Sequence, residues 1–295
     1  MRIALFQPSY PARETAAGAE ECLAWMRSRL DGLRPGAQDL ILLPEYANAP
    51  GLGEREAIRV FAARQGAVFL KAVAASARRL GCLAALAGLV QDGSRWFNRA
   101  LVYDVQGDIV FHYDKVHLTD VERDEIGVTP GDGLEVFDHA GVRIGFATCF
   151  DMYFAEHFLT LAALNVDLVL SPSYQRSESA ERLRVLAQAR ALDTGAYLVR
   201  SSYAMGDPAV GGRSLAATPA GMVLVDAGAE PGILAAELDP LAKFVKPASH
   251  GQALVEHRAL IKAHRRPVVY KTAGNARAWT VSTGWMGLGK AKGED

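Results

Sequence analysis

Three polar residues in this 295-residue sequence each stand directly after an apolar run. Glu45 follows Ile41-Leu42-Leu43-Pro44, Lys115 follows the run ending at Tyr113-Asp114, and Cys149 ends Ile144-Gly145-Phe146-Ala147-Thr148. Taken singly, each has an ordinary explanation. A carboxylate after a buried strand often caps a helix or pairs with a cation. A lysine is often a solvated charge, and a strand-end cysteine a small buried hydrophobe. Taken together, they divide one reaction among them. A thiol needs a base to become a nucleophile, and a carboxylate is one. The tetrahedral intermediate needs positive charge or N–H donors at its oxyanion. A lysine and a backbone amide just past the nucleophile meet that need. The chemistry is attack of a thiolate on an acyl carbon.

The elements that must position these groups alternate along the chain. Strands are predicted over Ile3–Gln7, Leu40–Leu43, Cys82–Val90, Trp96–Val105, Ile109–His112, Val142–Thr148, Val166–Leu170, Ala196–Ser202, Arg213–Ala217, Met222–Asp226 and Ile233–Leu238. Helices are predicted over Thr15–Leu33, Arg55–Leu80, Ala155–Leu164 and Glu178–Leu192. Gly93 and Gly107 mark turns. No repeat or linker interrupts the first part, so a single α/β domain of sheets covered by helices is expected over residues 1–280. Residues 281–295 are Gly- and Lys-rich and read as a mobile tail. Within that tail, Gly284 to Lys290 approaches a phosphate-binding loop, but Ala291 stands where a magnesium-holding hydroxyl is required.

Composition narrows the function classes. Lys plus Arg is 32 and Asp plus Glu 33, so no basic excess points to nucleic acid. The run Leu161–Leu170 is too short for a membrane span and is broken by Asn165 and Asp167. Three cysteines, Cys22, Cys82 and Cys149, argue for a reducing compartment, and the start has too short an apolar stretch for a leader, so a cytoplasmic protein is expected. His250, His257 and His264 recur every seven residues. On one helix they would stand about 10 Å apart along the axis, too far for one ion.

The order and spacing of these segments resemble the nitrilase superfamily, the carbon–nitrogen hydrolases. The resemblance runs from Arg2 to about Leu238. It includes Phe6-Gln7, Leu43-Pro44-Glu45, Phe97-Asn98 with Ala100, and Tyr113 through Leu118. Further along it includes Pro130-Gly131-Asp132, Gly145 through Asp151 with Glu156, and Gly211-Gly212-Arg213-Ser214 with Pro219 and Gly221. It implies a four-layer αββα sandwich and a Glu–Lys–Cys triad on Glu45, Lys115 and Cys149. It also implies a further glutamate before Pro130-Gly131, which is assigned to Glu125, with Glu122 as the alternative. It implies paired subunits, joined through helices that start near Tyr153 and Glu178, and the apolar set Phe154, Phe158, Leu161 and Ala162 is compatible with two buried faces.

The implied reaction is hydrolysis of a small amide or carbamoyl compound through a cysteine thioester. It leaves no task for a metal or organic cofactor. Tyr46, Phe150, Tyr153, Tyr174 and Arg176 flank the strand ends and are the candidate substrate-binding residues. Arg176 is a candidate partner for a substrate carboxylate. Asn98 is a candidate brace for the site loops. Two departures bear on the pocket: Tyr153 stands where the family often has Arg, and Ala155 where it often has Pro. Three competing readings are an acyltransferase using the same thioester, a catalytically silent binding member, and a metal-dependent phosphoesterase. The last lacks clustered Asp, His and Asn ligands at strand ends.

Overall fold

The computed structural model describes residues 1–269. In chain order its elements are β1 Arg2–Gln7, α1 Ala16–Asp31, β2 Leu40–Leu42, α2 Arg55–Phe61, α3 Ala67–Leu80, β3 Leu83–Asp92, β4 Arg95–Tyr103, β5 Ile109–Asp114, β6 Phe137–His139, β7 Val142–Phe146, α4 Ala155–Ala163, β8 Leu168–Pro172, α5 Ala180–Thr194, β9 Tyr197–Ser201, β10 Leu215–Ala217, β11 Val223–Asp226, β12 Gly232–Glu237, β13 Val245–Pro247, β14 Leu254–Glu256 and α6 His257–His264. The expected domain edge at residue 280, the tail 281–295 and the loop-like run Gly284 to Lys290 lie outside the described residues.

The strands form two six-stranded sheets, ordered β12-β1-β2-β3-β4-β5 and β11-β10-β9-β8-β7-β6. Side chains alternate across a strand, so an apolar strand buried on both faces feeds two cores. In β1, Ala4 and Phe6 pack outward with Leu23, Met26, Phe69 and Val73 of α1 and α3. Ile3 and Leu5 pack inward with Leu40, Leu168, Leu170 and Val199. In the second sheet, Val169 and Leu198 face Phe158, Leu161, Ala187 and Ala191 of α4 and α5. Three stacked cores thus define helix, sheet, sheet and helix layers, the expected αββα sandwich.

Strands β1, β2 and β3 run parallel, as do β7, β8 and β9. The parallel strands therefore end on one side, where α/β folds build sites. Strands β3, β4 and β5 form antiparallel hairpins through Gly93 and Gly107, at φ 59° and 80°.

Some expectations needed correction. The helix predicted over Arg55–Leu80 is two helices joined by a π-helical turn, Ala62–Gly66. Gly66 there abuts Asn48, whose carbonyl oxygen would lie 2.5 Å from any added Cβ. The three-residue strands β6, β13 and β14 were not anticipated, being too short for a periodic signal. His257 and His264 bound α6, whereas His250 precedes β14, so the three do not share a helix.

Candidate active site

Each of the three candidate residues sits just past a strand that stays paired to its end. After β2, Leu43 N–H still donates to Ala85 O at 2.9 Å, and two residues later the chain reaches Glu45. After β5, Lys115 N–H donates to Asn98 O at 2.9 Å. After β7, Ala147 N–H donates to Leu170 O at 3.1 Å, and Cys149 opens a 3-10 turn, Cys149–Tyr153. Cys149 and Tyr46 both adopt left-handed backbone conformations, φ 48° and 51°. Non-glycine residues held there cost roughly 1–2 kcal/mol each. The strain falls on the nucleophile itself and on the residue after Glu45, as is common where function fixes geometry. The Pro130-Gly131 motif also has a local reason. Gly131 N–H donates to Lys115 O at 2.9 Å, and an added Cβ would lie 2.1 Å from Asp114 O.

The side chains converge. Lys115 Nζ donates to Glu45 Oε1 at 2.8 Å and to Glu122 Oε1 and Oε2 at 2.9 and 2.8 Å. Glu45 and Lys115 are each 1% exposed, and Cys149 is 8% exposed. The Cys149 thiol and Glu45 line the same cavity, and the carboxylate lies near enough to act on the thiol electrostatically. Burial pushes Glu45 above the ordinary carboxylate value, against the pull of Lys115, which makes it a better base. Burial opposes charge on Lys115, but Glu45 and Glu122 outweigh it and hold the ammonium well above its ordinary value. Burial and then Glu45 push the Cys149 thiol well up, so the resting sulfur keeps its proton.

The glutamate brought to Lys115 beside Glu45 is Glu122, not Glu125 as expected. Glu122 is buried, and the Tyr46 hydroxyl and the Thr119 N–H and hydroxyl donate to it at 3.1, 2.9 and 3.0 Å. Burial opposes its charge, but Lys115 prevails and holds Glu122 below the ordinary value. Glu125 is exposed, and its backbone carbonyl takes the Arg55 guanidinium. The two lie on a π-helical turn, Val121–Ile126.

Asn98 does brace the site. Its Nδ2 donates to Glu45 Oε1 and Glu122 Oε1, both at 2.7 Å. The two carboxylates are thereby tied to each other as well as to Lys115. Sequence reasoning did not single out Gln175 and Arg200, which lie behind the nucleophile. Gln175 Nε2 donates to Cys149 O at 3.5 Å, and its Oε1 accepts from Arg200 at 2.8 and 3.3 Å. Arg200 is fully buried, and burial lowers it to about 10. A buried strand arginine was visible in the run Leu198 to Ser201, but nothing there pointed to the cysteine.

A cavity of about 240 Å³ opens over these groups. Tyr46, Phe150, Tyr153, Tyr174 and Arg176 all line it, together with Glu178. Arg176 Nη1 donates to Glu14 at 2.9 Å and to the Tyr10 hydroxyl at 3.1 Å, so its charge is already partnered. The Tyr153 hydroxyl donates to Glu178 at 2.9 Å. Glu178, unnamed among the sequence candidates, is the cavity's remaining acid.

Among the described residues, one group has metal-ligand composition: His117, Asp151 and His157, with one atom from each within 4.8 Å of the others. Its lone pairs are largely in use. Asp151 accepts from the Tyr113 hydroxyl, the Thr148 and His117 N–H groups, and pairs with His117 Nδ1 at 2.8 Å. His157 Nε2 meets Phe146 O at 2.7 Å. The group suits a hydrogen-bonded brace for the turn that carries Cys149 better than an ion cage.

Residues 2–246 match the family model described as carbon–nitrogen hydrolase. Human omega-amidase NIT2 is 28% identical over 160 residues, covering 50% of this chain and 58% of that protein. The match to that relative therefore spans little more than half its length. Mouse deaminated glutathione amidase is 27% identical over 289 residues, covering 89% of this chain and 78% of that protein. Among solved structures, an amidase from Nesterenkonia sp. has the same fold, with a TM-score of 0.71, 22% identity, and 92% and 96% of the two chains covered. A mutant of a Nesterenkonia amidase carries the acetamide moiety of fluoroacetamide covalently on its active-site cysteine (TM-score 0.70, 22% identity, 92% and 96% covered).

Proposed function

The chain belongs to the carbon–nitrogen hydrolase family, and on that premise we propose that it hydrolyses a non-peptide C–N bond in a small amide or carbamoyl compound. The observation that carries this reading is the convergence of Glu45, Lys115, Glu122 and the Cys149 thiol at one cavity. Glu45 takes the thiol proton as the sulfur attacks the acyl carbon. Lys115 and the Phe150 N–H stabilise the charge that develops on oxygen. Glu45 then gives its proton to the leaving ammonia or amine, and a thioester on Cys149 remains. Water activated by Glu45 releases the acid and restores the thiol. Glu122 holds the ammonium charged and in place through both steps.

No step in this scheme needs a metal or organic cofactor. The same reading takes the protein to be cytoplasmic and to work as a homodimer or higher homo-oligomer. No described helix is long and apolar enough to cross a membrane. Phe158, Leu161 and Ala162 are buried in the protomer's own core, so the dimer reading rests on the family resemblance and not on that apolar set. Sedimentation at micromolar concentration tests it, and a clean monomer would refute it. The activity itself is tested by an ammonia-release screen over ω-amides, carbamoyl amino acids, short aliphatic amides and nitriles. Turnover of at least one amide or carbamoyl compound, lost in Cys149→Ala, is expected. Silence across the panel would overturn the reading.

A further inference from the structure

The charges lining the cavity do not balance. Lys115 stands against two carboxylates, Glu45 and Glu122, and Arg176 is paired with Glu14 from the rim. Glu178 has a neutral donor, the Tyr153 hydroxyl, and makes no ion pair among the described residues. The nearby buried cation Arg200 feels the Glu178 charge but makes no hydrogen bond to it, spending its N–H groups on Gln175, Ser202 and the carbonyls of Gly212 and Arg213. Arg182, on the first turn of α5, is exposed and makes no ion pair with Glu178. An ionised carboxylate offers about four lone-pair sites, and one hydroxyl fills one of them.

We propose that Glu178 seats an ammonium group on the substrate, so that the compounds hydrolysed are amides or carbamoyl compounds whose far end is a primary amine. This rests on the functional reading above and narrows its substrate class. The scissile carbonyl lies at Cys149, and the intervening methylenes lie along Phe150 and Tyr174. The amine donates to Glu178 from the side that Tyr153 leaves open. A substrate with a terminal carboxylate meets Glu178 as a like charge, and Arg176 is already held by Glu14.

The test compares matched amides at two chain lengths. The short set is β-alaninamide, butanamide and succinamate; the long set is δ-aminovaleramide, hexanamide and adipamate. Within a set only the terminal group changes, from ammonium to methyl to carboxylate. At one length or both, kcat/KM for the ammonium compound should exceed that of the methyl compound by about tenfold or more, the range for a hydrogen bond to a charged group. The carboxylate compound should be poorest. In Glu178→Gln the ammonium-to-methyl ratio should collapse toward one, and Glu178→Lys should favour the carboxylate compound. Equal rates or a preference for methyl or carboxylate in the native protein would overturn the proposal. So would an ammonium preference that survives in Glu178→Gln. Calorimetric binding of the same compounds to Cys149→Ala separates this proposal from the activity itself. Tighter binding of the ammonium compounds upholds the Glu178 seat even if nothing is turned over, and indifference overturns it.

Discussion

Lys115 meets Glu122 through both carboxylate oxygens, at 2.9 and 2.8 Å, and neither residue has appreciable access to water. An ammonium so placed cannot shed its proton cheaply, because that would leave two buried carboxylates without a cation. The charge that awaits the oxyanion is thus built into the resting protein. Glu122→Gln should lower kcat/KM by about 100-fold, the size of effect expected when a positioned acid–base group is lost. Glu125→Gln should leave it nearly unchanged, since Glu125 is exposed. Steady-state kinetics on the two purified variants, with melting curves to confirm folding, checks the contrast.

The pH profile should carry the signature of Glu45. Its value is raised from 4.5 by burial first, with Glu122 adding to the rise and Lys115 opposing it. A base must be deprotonated to act, so activity should be lost as pH falls through that raised value. The acid limb of kcat/KM therefore lies above 4.5. In Glu122→Gln one raising charge is gone, and the limb should move to lower pH. The limb reports the coupled site as a whole, so its direction of movement is the test.

Stability should respond to the same groups. Glu122 is held below its ordinary 4.5, so it contributes stability above that pH, lost as pH falls through the depressed folded value. Lys115 is held well above 10.5, so its contribution is full below that pH and is lost only as pH rises through the folded value. Denaturant melts across the acid range should show stability lost as pH falls through the depressed Glu122 value, offset in part by Glu45, whose raised value adds stability on protonation.

Asn98→Ala should cost about 1–3 kcal/mol, because Glu45 and Glu122 each lose a buried donor. Asn98→Asp should be worse, placing a third carboxylate against the two. Urea unfolding measures the first effect, and a smaller soluble fraction with reduced activity would show the second.

Iodoacetamide should modify Cys149 alone in the native protein. Burial pushes Cys22 up to about 12 and Cys82 up to about 11, and neither touches a base. Cys149 is raised too, but Glu45 can take its proton, so Glu45→Gln should slow the labelling. Peptide mapping after brief exposure distinguishes the three sites. Dialysis against a chelator should leave the rate unchanged; loss that returns with zinc would point to the His117, Asp151 and His157 group as an ion site.

The convergence of Glu45, Lys115 and Cys149 was legible because each follows an apolar run, and the ends of β2 and β5 of one sheet meet the end of β7 of the other. The layers were legible for the same reason, as the runs are long enough to show alternation on both faces. The choice between two glutamates was not. Ile126 is buried at 4% exposure and anchors the turn inward, but its neighbour Glu125 is exposed. On a helical turn the residue that shares a face with position 126 is four back, at 122, while 125 points elsewhere. A short turn between strands gives too few residues for that periodicity to be seen. Glu178 was hidden differently. Only the folded chain shows that Arg176, two residues before it, is already occupied by Glu14, which is distant in sequence.

A covalent acyl intermediate on Cys149 is measured most directly as intact mass after rapid acid quench during turnover of an amide substrate. A species heavier by the acyl group less one hydrogen is expected. The added mass should map to the peptide containing Cys149, be released by hydroxylamine, and be absent in Cys149→Ala. Turnover at native rate by Cys149→Ala, or an acyl group mapped to any other residue, would contradict it.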